Sequence, residues 1–168
     1  MTPMPRPPIQ IAWVTSDLAA TESTLTALLG VRKWLRMPGV HFAPDTCSYL
    51  GEPADFVADI ALSYLGDMQL ELIAPVNGHS LYQDFLSDQG PGLHHICIEA
   101  EDPENFEAML SDAVEQGAQL VARGVMPGGM SFAYVSAADA GVPYLEIAYI
   151  PAEIRSVFDY IKQEQRRQ

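Results

Sequence analysis

The sequence predicts an α+β fold in which two similar modules follow one another along the chain. Each module has the predicted order strand, helix and three strands. The copies are related by residues that recur at a nearly constant spacing: Gln10 corresponds to His95 at an offset of 85, and Glu71 corresponds to Glu146 at an offset of 75. The offset shortens because the first copy contains the longer loop. A repeat of this kind indicates one supersecondary unit used twice.

The first module is predicted from alternating apolar segments and from its helix signals. Its strands are expected at residues 9–15, 31–36, 59–64 and 68–74. The helix follows Asp17, whose carboxylate can accept hydrogen bonds from first-turn amides, and it ends at Gly30. Residues 38–53 are rich in Pro, Gly, Asp and Ser, which predicts a mobile loop.

The second module repeats the same pattern. Its strands are expected at residues 93–99, 119–122, 131–136 and 144–149. Asp102 is the predicted helix cap and Pro103 the first helical residue, where its missing N–H costs nothing. The glycine-rich segment 124–130 lacks the Lys-Ser/Thr ending of a phosphate-binding loop, so it predicts a turn bordering a cavity.

The whole chain is expected to form one domain with four parts. These are a first module with its lead-in at 1–78, a linker at 79–91, a second module at 92–151 and a C-terminal helix at 152–168. The length of 168 residues, of which 48% are hydrophobic, is enough to bury a core.

Charge and composition exclude several classes of partner. The net charge of −13 disfavours nucleic acid and anionic membranes through like-charge repulsion. We find neither a signal-peptide core nor a run of about 18 apolar residues. The two cysteines, Cys47 and Cys97, resemble neither a zinc motif nor a secreted disulfide framework. A cytoplasmic protein is the expectation.

Strand alternation places four polar side chains on equivalent faces. Side chains alternate across a strand, and each of four strands has an apolar face opposite a face with one polar residue near its middle. These residues are Gln10, Glu71, His95 and Glu146. They either face solvent from an open antiparallel sheet or converge inside a curved one. Their recurrence in both modules favours convergence, and two carboxylates, an imidazole and an amide suit a divalent metal.

The same alternation assigns the neighbours of His95. His94 is expected on the opposite face, towards the helix layer, in a structural role. Cys97 shares the face of His95 and is expected to be a small core residue, because no cation is evident to lower its pKa. Phe132 and Tyr144 are candidate pocket residues.

Three segments resemble the vicinal oxygen chelate superfamily, which contains the glyoxalase and bleomycin-resistance proteins, and look most similar to its methylmalonyl-CoA epimerase branch. They are MQLELIAPV (68–76), SLYQDFLSDQGPGLHHICIEA (80–100) and GVPYLEIAYIP (141–151). The resemblance implies two βαβββ modules that form a concave, barrel-like mixed sheet with helices outside. It also places the four metal ligands of the superfamily on Gln10, Glu71, His95 and Glu146.

The resemblance implies an enzyme that removes a proton α to a carbonyl of an acyl-CoA or similar small substrate. Glu146 is the first candidate for the base and Glu71 the second. The metal is not specified: Zn, Ni, Co and Mn all suit the ligands. A homodimer is expected.

Other members of the superfamily supply two alternatives. Epimerases usually have His at the position of Gln10, whereas glyoxalase I enzymes can have Gln, which favours a lyase acting on a glutathione hemithioacetal. The epimerase pattern also has a loop Glu, for which Glu52 and Asp55 are loose matches. The second alternative is a binding protein of the same fold without catalysis. An extradiol dioxygenase is disfavoured because that chemistry usually uses two His.

Overall fold

A computed structural model describes residues 5–167. Residues 1–4 of the predicted lead-in and Gln168 of the predicted C-terminal helix lie outside the described residues. The strands are β1 (Gln10–Val14), β2 (Leu35–Phe42), β3 (Cys47–Tyr49), β4 (Glu52–Pro53), β5 (Phe56–Leu65), β6 (Met68–Asn77), β7 (Gly92–Ala100), β8 (Leu120–Val125), β9 (Ser131–Ser136) and β10 (Tyr144–Tyr149). The α-helices are α1 (Leu18–Leu29), α2 (Leu81–Gln89), α3 (Pro103–Glu115) and α4 (Ala152–Arg166).

The strands form one mixed sheet that curls into a half-barrel. Its order is β2-β5-β6-β1-β7-β10-β9-β8-β3-β4. The first module contributes β1, α1, β2, β5 and β6, and the second contributes β7, α3, β8, β9 and β10. The predicted fold class is therefore confirmed, and the strands bearing the candidate ligands are neighbours at the centre of the sheet.

The two modules meet through a reciprocal pairing of β1 with β7. These strands run antiparallel, with Gln10 opposite Cys97 and Ala12 opposite His95. The offset that relates Gln10 to His95 also relates Ala12 to Cys97. Exchanging the two modules therefore converts the pair Gln10–Cys97 into the pair His95–Ala12. This exchange corresponds to a local pseudo-twofold axis that passes between β1 and β7. This axis brings equivalent positions of the two copies together.

The prediction of a mobile loop at 38–53 was wrong. Strand β2 continues to Phe42, and β3 and β4 form a hairpin whose first strand pairs with β8 of the other module. The segment is fixed because it buries side chains: Phe42 stacks on Phe56 with ring centroids 4.5 Å apart, and Cys47 is buried. The hairpin extends the sheet beyond β8.

The second strand begins later than predicted, at Leu35 rather than residue 31. Val31 is buried ahead of the strand, and the backbone carbonyl of Lys33 accepts a hydrogen bond from the Ser63 hydroxyl instead of joining a ladder. A side-chain bond of this kind satisfies the backbone without sheet pairing.

The helices begin where the capping signals place them. The carboxylates of Asp17 and Asp102 accept from the amides of Ala20 and Asn105, at 3.0 and 2.7 Å. Helix α3 covers the outer face of the sheet over a separate apolar cluster that includes Ile147. None of the helices between residues 5 and 167 combines the length and apolar character needed to cross a membrane.

The inner face of the half-barrel holds the larger apolar cluster. Helix α2, in the predicted linker, contributes Tyr82 and Phe85 to it, and α4 contributes Phe158 and Ile161. The concave side is therefore packed with side chains over most of its area, and the polar residues described next are embedded in that packing.

Candidate functional site

The curled sheet brings all four predicted site residues together. They lie on the consecutive strands β6, β1, β7 and β10, and their side chains are buried on the concave face. Neighbouring strands are about 4.8 Å apart, and the backbones of Glu71 and Glu146 are separated by three such spacings, from β6 to β10. Their carboxylates nevertheless converge on His95, because the sheet curves around it.

His95 is at the centre of the group. Its Nε2 atom lies 3.0 Å from Oε1 of Gln10, 3.1 Å from Oε2 of Glu146 and 3.5 Å from Oε1 of Glu71. One ligand atom each from Glu71, His95 and Glu146 fall within 4.8 Å of one another. The amide oxygen of Gln10 provides a fourth donor beside the same imidazole nitrogen.

Burial and mutual charge perturb the ionisation of these groups. Burial by itself lowers the pKa of His95, but the charges and hydrogen bonds of Glu146 and Glu71 outweigh it and raise that pKa to about 9. Burial raises the pKa of Glu71, and the charge of Glu146 adds to this, while contact with His95 opposes it. Two buried carboxylates thus share one positive partner, and the site is short of positive charge.

This deficit, together with the donor types, fits a divalent cation. Carboxylate oxygens, an imidazole nitrogen and an amide oxygen are ligands of Zn²⁺, Mn²⁺, Co²⁺ and Ni²⁺ in proteins. A cation among them would replace the proton on His95 and neutralise both carboxylates. The residues present therefore fit the metal that the superfamily typically binds.

Gln69 is a site residue that the sequence analysis missed. Its Oε1 accepts from Nε2 of Gln10 at 2.6 Å, and its own Nε2 donates to the hydroxyl of Tyr64 at 3.1 Å. These bonds orient the Gln10 side chain so that its oxygen faces His95. The available signal was spacing, because Gln69 lies two residues before Glu71 and shares its face of β6.

The prediction that His94 lies on the outward face was wrong. The register between β1 and β7 shifts at this point, so that Ala12 faces His95 while Trp13 faces Leu93. This bulge inserts His94 as an extra residue and breaks the alternation. Its side chain is fully buried beside His95, with the two Nδ1 atoms 2.8 Å apart.

A small cavity opens beside the carboxylates. Its volume is about 10 Å³, enough for roughly one water molecule. Its walls are Phe42, Ile60, Glu71, Ile73, Tyr82, Met126, Met130, Phe132, Tyr134 and Glu146. Phe132 lines the cavity as predicted, and the predicted 124–130 turn borders it through Met126 and Met130, although Gly124 and Val125 belong to β8. Tyr144 instead packs on His94 and Tyr134.

Two tyrosines form the polar part of this wall. The hydroxyls of Tyr82 and Tyr134 lie 2.6 Å apart and are buried. Burial and the negative charges of Glu71 and Glu146 raise the pKa of both phenols, so they stay protonated. One of the two hydroxyl hydrogens forms the hydrogen bond between the tyrosines. The other hydroxyl hydrogen remains available to be donated to another group.

Cys97 occupies the inner face, as the alternation predicts. It is buried, and its thiol donates to Oε1 of Glu146 over 3.5 Å. Burial raises the pKa of this thiol, and the charge of Glu146 raises it further. A protonated thiol is a poor nucleophile, so Cys97 supports the carboxylate rather than reacting. Cys47 and Cys97 are both free.

The loop acids lie apart from the cluster. Glu52 and Asp55 are exposed, and neither belongs to the cavity wall. Asp55 is instead 2.7 Å from Nε2 of His41. Their side chains therefore contribute nothing to the buried group of carboxylates.

Comparisons with solved structures show the same fold. A hypothetical protein from Bacillus halodurans C-125 has a TM-score of 0.63 at 20% identity, over 87% of this chain and 95% of that one. A methylmalonyl-CoA epimerase in complex with methylmalonyl-CoA and ammonium has 0.59 at 16%, over 88% and 96%. The methylmalonyl-CoA epimerase from Mycobacterium tuberculosis has 0.56 at 17%, over 88% and 89%.

Comparison of the sequence with protein families gives a direct assignment. No curated protein sequence matches the chain at a significant level. The family model of the glyoxalase/bleomycin resistance protein/dioxygenase superfamily matches residues 9–134, which is most of the chain and includes β1, β6 and β7 of the site. The chain therefore belongs to the glyoxalase/bleomycin resistance protein/dioxygenase superfamily.

Proposed function

We propose that the protein is a metal-dependent epimerase that moves a proton α to the carbonyl of an acyl-CoA thioester such as methylmalonyl-CoA. The observation that carries this proposal is the convergence of Glu71 and Glu146, from equivalent positions of the two modules, on one buried cavity. Epimerisation needs a proton-moving group on each side of a carbon, and a duplicated carboxylate supplies two.

The ligands in this proposal are Gln10, Glu71, His95 and Glu146. A divalent cation held by them would supply Lewis-acid stabilisation for the negative charge that develops on a carbonyl oxygen. The protein would orient that oxygen with the spare hydroxyl hydrogen of the Tyr82–Tyr134 pair, because both tyrosines line the cavity.

Glu146 and Glu71 would exchange protons with the α-carbon. A carboxylate oxygen of Glu146 takes the α-proton from one face, and the electron pair of the C–H bond passes into the enolate. Glu71 would return a proton to the opposite face, and for this step its carboxyl group would be protonated and released from the cation, because a ligand carboxylate is deprotonated. General acid–base catalysis of this kind contributes roughly 10²- to 10⁴-fold. The apolar walls keep water away from the enolate.

Entry of a substrate requires one wall to move, since a thioester does not fit into about 10 Å³. Met126 and Met130 stand at the two ends of the turn between β8 and β9, and both line the cavity. Unbranched methionine side chains change rotamer at low cost. We therefore place the entrance at this turn.

The test is exchange of the α-hydrogen of methylmalonyl-CoA in D₂O, followed by mass spectrometry. We expect deuterium incorporation by the metal-loaded wild-type protein and its loss in Glu146→Gln and Glu71→Gln. Glu115→Gln is the matched control, because Glu115 is exposed at the end of α3. No exchange by wild type, or equal exchange by all variants, would refute the epimerase assignment.

A glyoxalase I-like lyase is the second candidate, and Gln10 is the observation that favours it. The amide oxygen of Gln10 is 3.0 Å from Nε2 of His95, where epimerases usually have another His. Turnover of the glutathione hemithioacetal of methylglyoxal, without exchange of the acyl-CoA, would select this candidate. Metal binding without turnover of either substrate would select a non-catalytic binding protein. The expected homodimer stays a prediction.

A further inference from the structure

The contact between His94 and His95 requires that the two imidazole rings have complementary hydrogen positions. Their Nδ1 atoms are 2.8 Å apart and both side chains are fully buried. At this distance one nitrogen donates a hydrogen and the other accepts it. Which of the two donates determines the tautomer of each imidazole.

The surroundings of His95 determine the direction of the hydrogen bond between the two histidines. Its Nε2 faces Oε1 of Gln10 and the carboxylates of Glu71 and Glu146, so this nitrogen is the one that can bind a cation. A ligating nitrogen offers its lone pair, which leaves the ring hydrogen on Nδ1. His95 therefore donates from Nδ1, His94 accepts at Nδ1, and the hydrogen of His94 resides on its own Nε2.

This arrangement leaves His94 with an unpaired polar atom. Among residues 5–167, its Nε2 has no hydrogen-bond partner and is buried. The imidazole is held between the rings of Tyr82, Phe85, Tyr134 and Tyr144, with centroids 4.9–5.7 Å away. An unpaired buried donor lowers stability, and an apolar residue of similar size would avoid that loss. The acceptor at Nδ1 is what an apolar residue could not supply.

We infer that His94 is a positioning residue that fixes the tautomer and ring orientation of His95, so that Nε2 presents its lone pair to the metal. The inference rests on the proposed metal site and extends it by one residue. The bulge in β7 is the structural device that makes it possible, because regular alternation would place His94 on the other face. The aromatic ring packing then holds the accepting nitrogen in place.

The experiment compares two substitutions by titrating purified, metal-free protein with Co²⁺ and Zn²⁺. His94→Leu removes the acceptor, and His94→Gln retains one in its side-chain oxygen. Loss of such an orienting partner weakens metal binding roughly 10- to 100-fold, which we expect for His94→Leu. We expect His94→Gln to remain within a few-fold of wild type. His79→Leu is the control, because His79 is exposed and its Nε2 contacts the Asp84 carboxylate.

Circular dichroism and thermal unfolding of each variant separate loss of positioning from loss of fold. Equal metal affinity in wild type and a folded His94→Leu would overturn the inference, and so would equally weak binding by folded His94→Leu and His94→Gln. Nitrogen-15 NMR of the histidine rings provides a readout that needs no metal, provided that it is recorded above pH 9, where His95 is neutral and has a single ring hydrogen. We expect a hydrogen on Nδ1 of His95 and none on Nδ1 of His94.

The opposite placement of that hydrogen would overturn the inference even if metal binds. If wild type binds no metal, the proposed function fails by itself, and the NMR result still decides whether His94 sets the tautomer of its neighbour. The two failures are therefore distinguishable.

Discussion

Gln10 and His95 hold the same position in the two modules, and they touch: the amide oxygen of one lies 3.0 Å from Nε2 of the other. The contact follows from the reciprocal pairing of β1 with β7, which brings both copies of the position to the pseudo-twofold axis. Glu71 and Glu146 are a second pair of residues at equivalent positions of the two modules. The site is therefore shared between the modules, and neither module alone contains it.

The amide oxygen of Gln10 is a neutral metal ligand, so its removal should weaken metal binding less than removal of a carboxylate ligand does. We expect Gln10→Ala to weaken metal binding by about 10-fold, and Glu146→Ala to weaken it more. Gln69→Leu acts through Gln10 and should have a smaller effect on metal affinity. It should also lower stability by about 1–3 kcal/mol, because it leaves the buried Gln10 amide N–H unpaired.

Isothermal titration and urea denaturation measure these two effects separately. A loss of affinity in Gln69→Leu larger than that in Gln10→Ala would contradict the assignment of Gln69 to an orienting role.

The repeat and the strand alternation predicted two similar α+β modules and favoured the convergence of Gln10, Glu71, His95 and Glu146, whereas the concave mixed sheet was implied by the family resemblance. Both predictions depend on local periodicity, which can be read directly from the sequence. The segments that carry the family resemblance contain Glu71, His95 and Glu146, so the two arguments agree at these three positions.

The features that were missed depend on contacts between distant segments. The position of His94 follows from a bulge, which is defined by the register of β7 against β1. The β3–β4 hairpin consists of strands of three and two residues, too short for any periodicity, and it is fixed by β8 of the other module. The small cavity volume is likewise a property of the assembled inner cluster.

Stability of the metal-free protein should fall between about pH 6.5 and 9. The folded pKa of His95 is raised to about 9 from an ordinary value of 6.5. A raised pKa means that the folded state binds the proton more tightly, so this contribution is complete below pH 6.5 and disappears as the pH approaches 9. The slope cannot exceed about 1.4 kcal/mol per pH unit for one proton.

Urea denaturation at several pH values measures this slope, and His95→Gln should remove it. Metal binding near neutral pH should also release a proton from His95, visible as a dependence of the titration enthalpy on the buffer. A slope that persists unchanged in His95→Gln would assign the titration to another group.

The double substitution Tyr82→Phe/Tyr134→Phe should impair turnover without impairing metal binding. It removes both hydroxyls of the buried pair and therefore the donor proposed for the substrate oxygen, whereas either single substitution would leave one hydroxyl hydrogen without a partner in the pair. Loss of one such donor lowers kcat by on the order of 10², while Kd for the metal stays the same. Tyr49→Phe is the control, because the Tyr49 hydroxyl bonds Asp84 away from the cavity wall.

Enlarging the wall at the β8–β9 turn should ease substrate entry. Met126→Ala replaces a half-buried wall residue, so we expect a lower KM for the acyl-CoA at a modest cost in stability. Phe132→Ala removes a fully buried ring and should cost about 3–5 kcal/mol. Steady-state kinetics and denaturation together distinguish an entrance from a part of the core. An unchanged KM in Met126→Ala would place the entrance elsewhere.

Metal titration of the purified protein tests the central claim most directly. After chelation and dialysis, wild type should bind one divalent cation per chain with micromolar affinity or better, and Glu71→Gln/Glu146→Gln should bind none in that range. Glu115→Gln should behave as wild type. Absence of binding by wild type, or undiminished binding by the double variant, would show that these carboxylates, His95 and Gln10 do not form a metal site.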